Sequence, residues 1–456
     1  MKTKIYFIVL CIFVLSSVFP LHAMMESEML QILNQDKISL TVEQSIDIGL
    51  TYSRSYFASL MDVQTADAKY KETRTKLFPT LKFEGSYTRL SKIPPFEVNF
   101  ELPGTEPMHF VISDSILNYY NFQLKLSQPI FTGFALENAV KASRMERLAA
   151  KEMNAKDKSQ LIFDIKNAYW SLVKAMEFKK LLDENVTLVE SHLNDVQRFY
   201  NQGLAKNNDV LKVQVQLSSI KVNQLEAKHR VRMAMMALNS LLGLPLEKEI
   251  EPASKLSGID NLERDVKQEV EKAMLKRPEL KAMTYNLEAS KAAIKIARSG
   301  KYPQLGLEAN YYMSNPNTRI MPTEKKFQDT WDISLGLSFN IWNWKSTTYQ
   351  VYQADSQYRK TKALESQMKD MVTLEVQQNY FDLLQAKEKI DMSETNVTQA
   401  QENYRITNER FKAGLTPNSE LLDAEVFLLQ AKVSRTEAFI DYELARARLS
   451  KSTGEE

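Results

Sequence analysis

The sequence is poor in cysteine, glycine and proline. Cys11 is its one cysteine, and its 456 residues include 12 glycines and 14 prolines. A single cysteine excludes a disulfide framework within the chain, so stability must come from packing. The small number of residues that break helices leaves room for long, uninterrupted helices.

The sequence also lacks the signatures of common catalytic and metal sites. Its four histidines are scattered, and none has the spacing to cysteines or acids that a zinc site needs. It has no glycine-rich phosphate-binding loop and no nucleophile elbow. We therefore expect no metal, no cofactor and no enzymatic activity.

The amino terminus has the pattern of a secretory signal peptide. Lys2 and Lys4 precede an apolar run that ends at Val18, and Ala23 is a small residue at the expected cleavage point. The run of about 14 residues is shorter than the roughly 20 that a membrane-spanning helix needs. Cleavage after residue 23 would remove Cys11, whose neighbour Leu10 is larger than a lipid-attachment signal favours.

The remaining chain would have balanced charge. Of 59 lysines and arginines, two lie in the signal, which leaves 57 against 57 aspartates and glutamates. Because there is no basic excess, we expect no nucleic acid partner. No later run of 18 apolar residues predicts a spanning helix, but hydropathy averages do not reveal membrane strands.

One long pattern occurs twice. Tyr169–Ala175 returns as Tyr380–Ala386, an offset of 211 (380 − 169). The same offset, within one residue, relates a set of downstream residues: Arg198 to Arg410, Gly203 to Gly414, Leu204 to Leu415 and Asp209 to Glu420. A period near half the chain indicates a duplicated unit.

Four segments of about ten residues alternate between apolar and polar residues, at about 80–90, 119–131, 303–313 and 330–341. Such alternation predicts strands with one apolar face, and ten residues suffice for a tilted strand to cross a bilayer. Aromatic residues near the segment ends fit membrane interfaces; they are Phe131, Trp331, Trp342 and Trp344. A half-buried sheet of a soluble domain shows the same alternation and remains an alternative.

Long helical segments follow each pair of strands. Residues 135–202 contain no proline and no glycine, and Leu161, Ile165, Ala168 and Leu172 have coiled-coil spacing. About 60 helical residues would form a rod of roughly 90 Å. Each rod should reverse at a glycine, near residue 203 or 414, and return as a second helix.

The predicted fold is mixed but mainly α. A signal peptide (1–23) precedes a first repeat (24–244), a connector (245–264) and a second repeat (265–456). Each repeat begins with a helix, at 40–76 or 265–301, and loops at 91–118 and 314–329 join its two strands. Four strands cannot close a barrel, since single-chain membrane barrels begin at eight, so several chains must share one.

In this order and spacing the sequence resembles the TolC-like outer-membrane efflux proteins. The resemblance covers essentially the whole mature chain and includes Phe78-Pro79, Tyr302-Pro303 and the segment 128–133. It implies a homotrimer whose 12 strands (three times four) form one barrel in outer-membrane lipid, continued into the periplasm as a helical barrel. It also implies a periplasmic adaptor and an inner-membrane pump as partners of a passive duct.

The resemblance also implies functional residues at the two helical tips. Six residues match the turns that dock the adaptor: Arg198, Gly203, Leu204, Arg410, Gly414 and Leu415. Glu420 and Asp423 match an acidic pair that rings the periplasmic entrance, and Asp209 matches a residue that helps to latch it.

The latch departs from the better-known pattern of the family. Phe411 and Thr416 stand where that pattern has a tyrosine and an arginine, so its polar contacts do not transfer intact. A ring of Phe411 or Leu415 side chains is the expected substitute, closing the entrance by packing and dewetting.

Two other functions fit the same sequence. One is a duct for protein secretion by a type I system, since substrate choice resides largely in the pump. The other is a periplasmic coiled-coil scaffold with a soluble β-domain and no pore. A heat-resistant, detergent-dependent trimer would exclude the scaffold.

Overall fold

The structure is a computed structural model that describes residues 37–100, 103–104, 108–254, 265–321 and 323–455. The predicted signal peptide (1–23) with Cys11, the following residues 24–36 and residues 255–264 of the predicted connector lie outside these ranges.

The first half of the chain begins with strand β1 and two helices and ends with a long helical hairpin. Its elements are β1 (Lys37–Leu40), α1 (Val42–Tyr52), α2 (Arg54–Thr75), β2 (Thr80–Arg89), β3 (Phe96–Phe100), β4 (Met108–Ser113), β5 (Asn118–Phe131), α3 (Ala135–Asn201) and α4 (Asn207–Leu242).

Among the described residues, the second half repeats this order without the β3–β4 pair. Its elements are β6 (Glu249–Pro252), α5 (Val266–Lys276), α6 (Pro278–Arg298), β7 (Gln304–Asn315), β8 (Gln328–Ser338), α7 (Ser346–Lys412) and α8 (Asn418–Thr453). Both hairpins consist of a 67-residue helix followed by a 36-residue helix. The predicted duplication and the mainly helical fold with four long strands are confirmed.

The four long strands form one antiparallel sheet with the order β2-β5-β7-β8. Its register aligns Lys82 with Lys125, Lys125 with Asn310 and Asn310 with Asp332. The neighbouring row aligns apolar residues: Leu81, Leu126, Ala309 and Ile333. Because side chains alternate with period two, this register keeps polar residues on one face and apolar residues on the other.

The first helical segment of each half and the first loop differ from the predictions. The predicted helix at 40–76 is interrupted at Ser53 (φ −64°, ψ 123°), and the predicted helix at 265–301 is interrupted at Arg277 (φ −59°, ψ 124°). The predicted loop at 91–118 contains the antiparallel pair β3–β4. Period-based patterns missed both, because a single non-helical residue and a six-residue strand barely change the local periodicity.

The chain packs into two compact units. The tip unit comprises Met1–Phe57 (described from residue 37), Lys158–Ala273 and Glu375–Glu456, and the sheet unit comprises Ala58–Asp157 and Met274–Leu374. Each unit draws on both halves of the sequence. The predicted repeat boundaries at 244, 264 and 265 therefore do not coincide with the boundaries of the compact units, and they remain a prediction about the duplication.

The core of the tip unit includes Tyr169, the first residue of the repeated stretch. Its ring is fully buried, and its hydroxyl donates to the Leu40 carbonyl (2.9 Å) and accepts from the Ser254 amide (2.9 Å). Strands β1 and β6 pair in parallel beside it, with Ile38 opposite Ile250. The buried tyrosine thus pairs the Ser254 amide, which lies beyond β6, and adds a second donor to the Leu40 carbonyl, which also accepts the Ala253 amide (2.8 Å).

No helix within the described ranges is both long enough and apolar enough to cross a membrane.

Candidate functional site

The two helical hairpins of the tip unit reverse through identical turns. Gly203 and Gly414 have left-handed backbones (φ 77° and 75°). The amide of the next residue reaches back to a helix carbonyl, from Leu204 to Phe199 and from Leu415 to Arg410, at 2.8 Å in both turns. This is the helix-ending geometry that glycine favours, because other residues pay a steric cost for positive φ.

Each turn presents an exposed leucine at its end. Leu204 is 74% exposed and Leu415 is 70% exposed. Of the nearby arginines, the exposed Arg198 pairs with Asp195 one turn earlier, and Arg410 is also exposed. The six residues predicted for docking therefore lie together at the two turns, three at each.

Phe411 lies beneath the second turn, inside the hairpin core. It is 7% exposed and makes edge contacts with His192 (5.2 Å between ring centroids) and Phe199 (5.6 Å). In this arrangement Phe411 stabilises the tip from within, and Leu415 is the apolar side chain that faces outward. The predicted ring of Phe411 or Leu415 side chains remains a prediction.

Glu420 and Asp423 lie on the exposed side of the first turns of α8. The Thr416 hydroxyl donates to the Glu420 carboxylate, so threonine contacts the acid where the family pattern has an arginine. Residues three apart share one face of a helix, so the two carboxylates point the same way. The structure thus places the predicted acidic pair on one accessible surface.

Asp209 has a different local role. Its carboxylate accepts the backbone amide of Lys206 (3.1 Å), which closes the start of α4. Its backbone carbonyl accepts the side-chain amide of Asn418 (3.3 Å). Asp209 therefore connects the first tip to the second through its backbone, while its side chain is used within its own turn.

A buried histidine–glutamate pair lies deeper in the tip and was not among the predicted site residues. His192 Nδ1 is 3.1 Å from Glu425 Oε1, with side chains 2% and 3% exposed. Burial, followed by the charge of Glu425, raises the pKa of the neighbouring Tyr404. One signal was present in the sequence: His192 falls at seam spacing between Val189 and Val196, where an apolar residue is expected.

The predicted interface aromatics belong to the sheet unit. Trp331 on β8 is 67% exposed, and Trp342 and Trp344, which follow β8, are 73% and 82% exposed. Phe131, at the end of β5, is half-buried and packs edge-on against Phe134 (5.1 Å). These residues flank the ends of the sheet, and their contact with lipid remains a prediction.

Among the described residues, no group of three or more His, Cys, Asp or Glu side chains is placed to hold a metal ion.

Comparison with known proteins extends over most of the chain. The sequence matches the family described as "Outer membrane efflux protein" over residues 53–244 and 270–455. The probable efflux pump outer membrane protein TtgC of Pseudomonas putida is 22% identical over 406 residues, which are 86% of this chain and 78% of the relative. The alkaline protease secretion protein AprF of Pseudomonas aeruginosa is 23% identical, over 72% of this chain and 68% of the relative.

The solved structures show the same fold. The outer membrane protein VceC of Vibrio cholerae superimposes with a TM-score of 0.76 at 18% identity, covering 91% of this chain and 96% of that one. The repeated helical hairpins and four-stranded sheet are therefore a known architecture. Together with the two-part family match, they show that the chain belongs to the outer membrane efflux protein family.

Proposed function

We propose that three copies of this chain form an exit duct in the outer membrane. The duct conducts substrates passively from an inner-membrane pump, through a periplasmic adaptor, to the exterior. Family membership supports the location and the channel class. The number of copies, the partners and the passive mechanism are the proposal.

The observation that carries the proposal is the open, apolar sheet. In the described part of the chain, β2 and β8 are edge strands with no further partner. Their apolar side chains lie uncovered, including Phe83 (68% exposed), Ile333 (65%) and Leu337 (70%). An exposed apolar face with two unpaired edges is unfavourable in water.

Lipid would cover the exposed apolar face, and neighbouring copies would pair the two edge strands. If β8 of one copy pairs with β2 of the next, three four-stranded sheets close into 12 strands (three times four) without an edge. Lipid then covers the apolar face, and the polar face lines the interior.

Two exposed helical seams in the tip unit support the same assembly. The seam of α4 contains Leu211, Val215, Val222 and Leu225, which are 50–67% exposed. On α7, Phe381 (59%) and Met392 (70%) form a second seam. Coiled-coil spacing and apolar character make each a suitable partner for the other in an adjacent copy.

The tips are the proposed working parts of the duct. The exposed Leu204 and Leu415, with their turns, would form the docking surface for the adaptor. Threefold symmetry would bring Glu420 and Asp423 from three copies to one opening, giving six carboxylates. Such a ring attracts cations and repels anions, because charges held close together are poorly screened.

Protein secretion is the second candidate. The similarity to AprF, a protein named for alkaline protease secretion, is the observation that favours it. The duct would be built in the same way, and the substrate would be an unfolded polypeptide supplied by a dedicated exporter. Co-purification of the adaptor and pump distinguishes the two functions.

Single-channel recording of the purified full-length protein in planar lipid tests the duct. We expect a detergent-dependent trimer that conducts ions with cation preference. Glu420→Ala and Asp423→Ala should each reduce that preference, whereas Ser419→Ala, at an exposed neighbouring position, should not. A monomer that conducts no ions would overturn the duct. Unchanged conductance and selectivity in Glu420→Ala, Asp423→Ala and Phe411→Ala would overturn the gate assignment alone.

A further inference from the structure

Phe427 is an exposed aromatic residue close to the acidic pair. It lies on α8, four residues beyond Asp423 and seven beyond Glu420, and its side chain is 57% exposed. Seven residues complete nearly two helical turns, so Phe427 points within about 20° of the Glu420 direction. It lies about 6 Å farther along the helix axis than Asp423.

The packing of α8 within the chain does not require an aromatic residue at this position. The buried side of the same segment consists of Leu421, Ala424 and Leu428, which are 2%, 2% and 7% exposed. Phe427 lies about 100° around the helix from Leu428, to one side of these buried residues, and its ring is exposed. The apolar area of its ring is therefore left free for contact with a neighbour or a ligand.

The proposed contact between copies does not require an aromatic residue at position 427 either. The 211-residue offset relates the α4 seam residues Leu211, Val215 and Val222 to Leu422, Val426 and Val433 of α8. Phe427 corresponds to Gln216, which is outside that seam. Val426 is only one residue away, but one residue is about 100° around the helix. Phe427 therefore shares a face with the carboxylates and not with the seam.

The full set of two acids and one aromatic residue is also confined to the second repeat. The positions that correspond to Glu420, Asp423 and Phe427 in the first repeat are Asp209, Lys212 and Gln216. The stripe of two acids and one phenylalanine is thus a property of α8 alone. Any passage lined by the two carboxylates is lined by Phe427 as well.

We propose that Phe427 forms an apolar ring in the duct, one helical turn beyond the carboxylates; this rests on the duct proposed above. Three copies place three carboxylate pairs and then three phenyl rings along the path. The carboxylates favour positive charge, the phenyl faces attract cations, and an apolar constriction resists hydrated ions. The combination selects organic cations with an apolar body over small inorganic ions.

Block of the channel by an aromatic cation tests this assignment. The probe is tetraphenylphosphonium, added to the wild-type trimer in planar lipid during conduction of potassium chloride. Phe427→Ala should weaken block by about tenfold, within the range of a cation–aromatic contact. Phe427→Trp should retain block, and Val426→Ala, the matched exposed neighbour on another face, should behave as wild type.

The potassium-to-chloride preference separates the aromatic ring from the acidic ring. Asp423→Asn should lower that preference, and Phe427→Ala should leave it unchanged. If Phe427→Ala is blocked as strongly as wild type while Asp423→Asn loses preference, the duct stands and the aromatic ring is wrong. If Phe427→Ala no longer forms trimers, Phe427 is a contact between copies and the assignment is again wrong. A wild-type protein that does not conduct would overturn both the duct and the ring.

Discussion

The two helical hairpins have the same lengths and turns but differ in which faces the chain covers. Trp170 on α3 is 5% exposed, whereas its counterpart on α7, Phe381, is 59% exposed. On the return helices the relation is reversed: Val222 of α4 is 58% exposed, and its counterpart Val433 of α8 is half-buried.

The covered faces meet each other within the chain. Helix α3 contacts α8 through Lys174 and Glu437 (3.0 Å), Glu184 and Lys432 (3.6 Å), and the buried His192–Glu425 pair. The faces left exposed are those of α7 and α4, which correspond to α3 and α8 in the repeat. One interface is thus made within the chain, and the equivalent faces of α7 and α4 are left uncovered, as the proposed trimer requires.

This difference explains how a duplicated chain can assemble head to tail. A heterologous contact joins two different surfaces of identical copies. The copies close into a ring when the rotation between neighbours divides a full turn evenly, and otherwise they form a filament. In a ring built from duplicated chains, contacts between the two repeats of one chain alternate with contacts between neighbouring chains.

The largest effect is expected from a charge placed in the exposed seam of α4. Val222→Asp would bury an unpaired carboxylate between copies, at a cost of about 3 kcal/mol per contact. That corresponds to roughly 100-fold in the association constant. Light scattering of the detergent-solubilised protein should show monomers. Asn223→Asp, also exposed but about 100° around the helix, should remain a trimer; if both variants stay trimeric, the seam is not an interface.

A smaller effect is expected at the buried pair within the chain. His192→Asn would leave the buried Glu425 side chain without its imidazole neighbour and destabilise the fold by about 3 kcal/mol or less. The double variant His192→Asn, Glu425→Gln supplies the amide types found at the counterpart positions, Asn403 and Gln214. Thermal unfolding should show a lower Tm for the single variant and recovery of most of the loss in the double variant. Additive losses would show that the pair does not act as a unit.

The smallest effect is expected at a contact that recurs inside each hairpin. The Gln224 side-chain amide donates to Asp183 (2.7 Å), and the equivalent residues in the second hairpin, Arg435 and Glu394, are 3.6 Å apart. Hydrogen bonds from Lys179 and then Gln224 hold the pKa of Asp183 below its ordinary value of 3.8. Because Asp183 is partly exposed, Asp183→Asn should cost less than about 1 kcal/mol at neutral pH.

The sign of the pH dependence follows from the lowered pKa of Asp183. The ionised carboxylate contributes its stability above pH 3.8 and loses it as the pH falls through the folded-state pKa. The Tm difference between wild type and Asp183→Asn should therefore shrink below that pH. Glu394→Gln is the matched change in the second hairpin and should have a similarly small effect at neutral pH. A Tm difference for Asp183→Asn that grows on acidification would contradict this account.

The features that were predictable from the sequence are those with a long period. The alternation in β2, β5, β7 and β8 extends over at least ten residues, and each long helix has many turns of seam spacing. Glycine at each tip marks the turn, because few other residues adopt positive φ there. Repetition strengthened these signals, at an offset of 211 residues in the long helices and of 224 (304 − 80) from β2 to β7.

The features that were missed depend on partners distant in sequence. Strands β1 and β6 have four residues each, too few for a periodic signal, and they become strands only by pairing with each other. The buried contact of His192 requires Glu425, which is 233 positions away (425 − 192). Exposure of Phe427 depends on which face of α8 packs inward, and spacing alone did not distinguish it from the core residues beside it.

The parallel pairing of β1 with β6 has a consequence for the order of folding. Ile38 can pair with Ile250 only after the ribosome has synthesised the 212 residues (250 − 38) that separate them. Contacts this far apart in the chain are slow to form, because a large loop must first be ordered. Strand β1 therefore stays unpaired until more than half of the chain has been synthesised. Such a delay suits a protein that must cross a membrane unfolded before it folds.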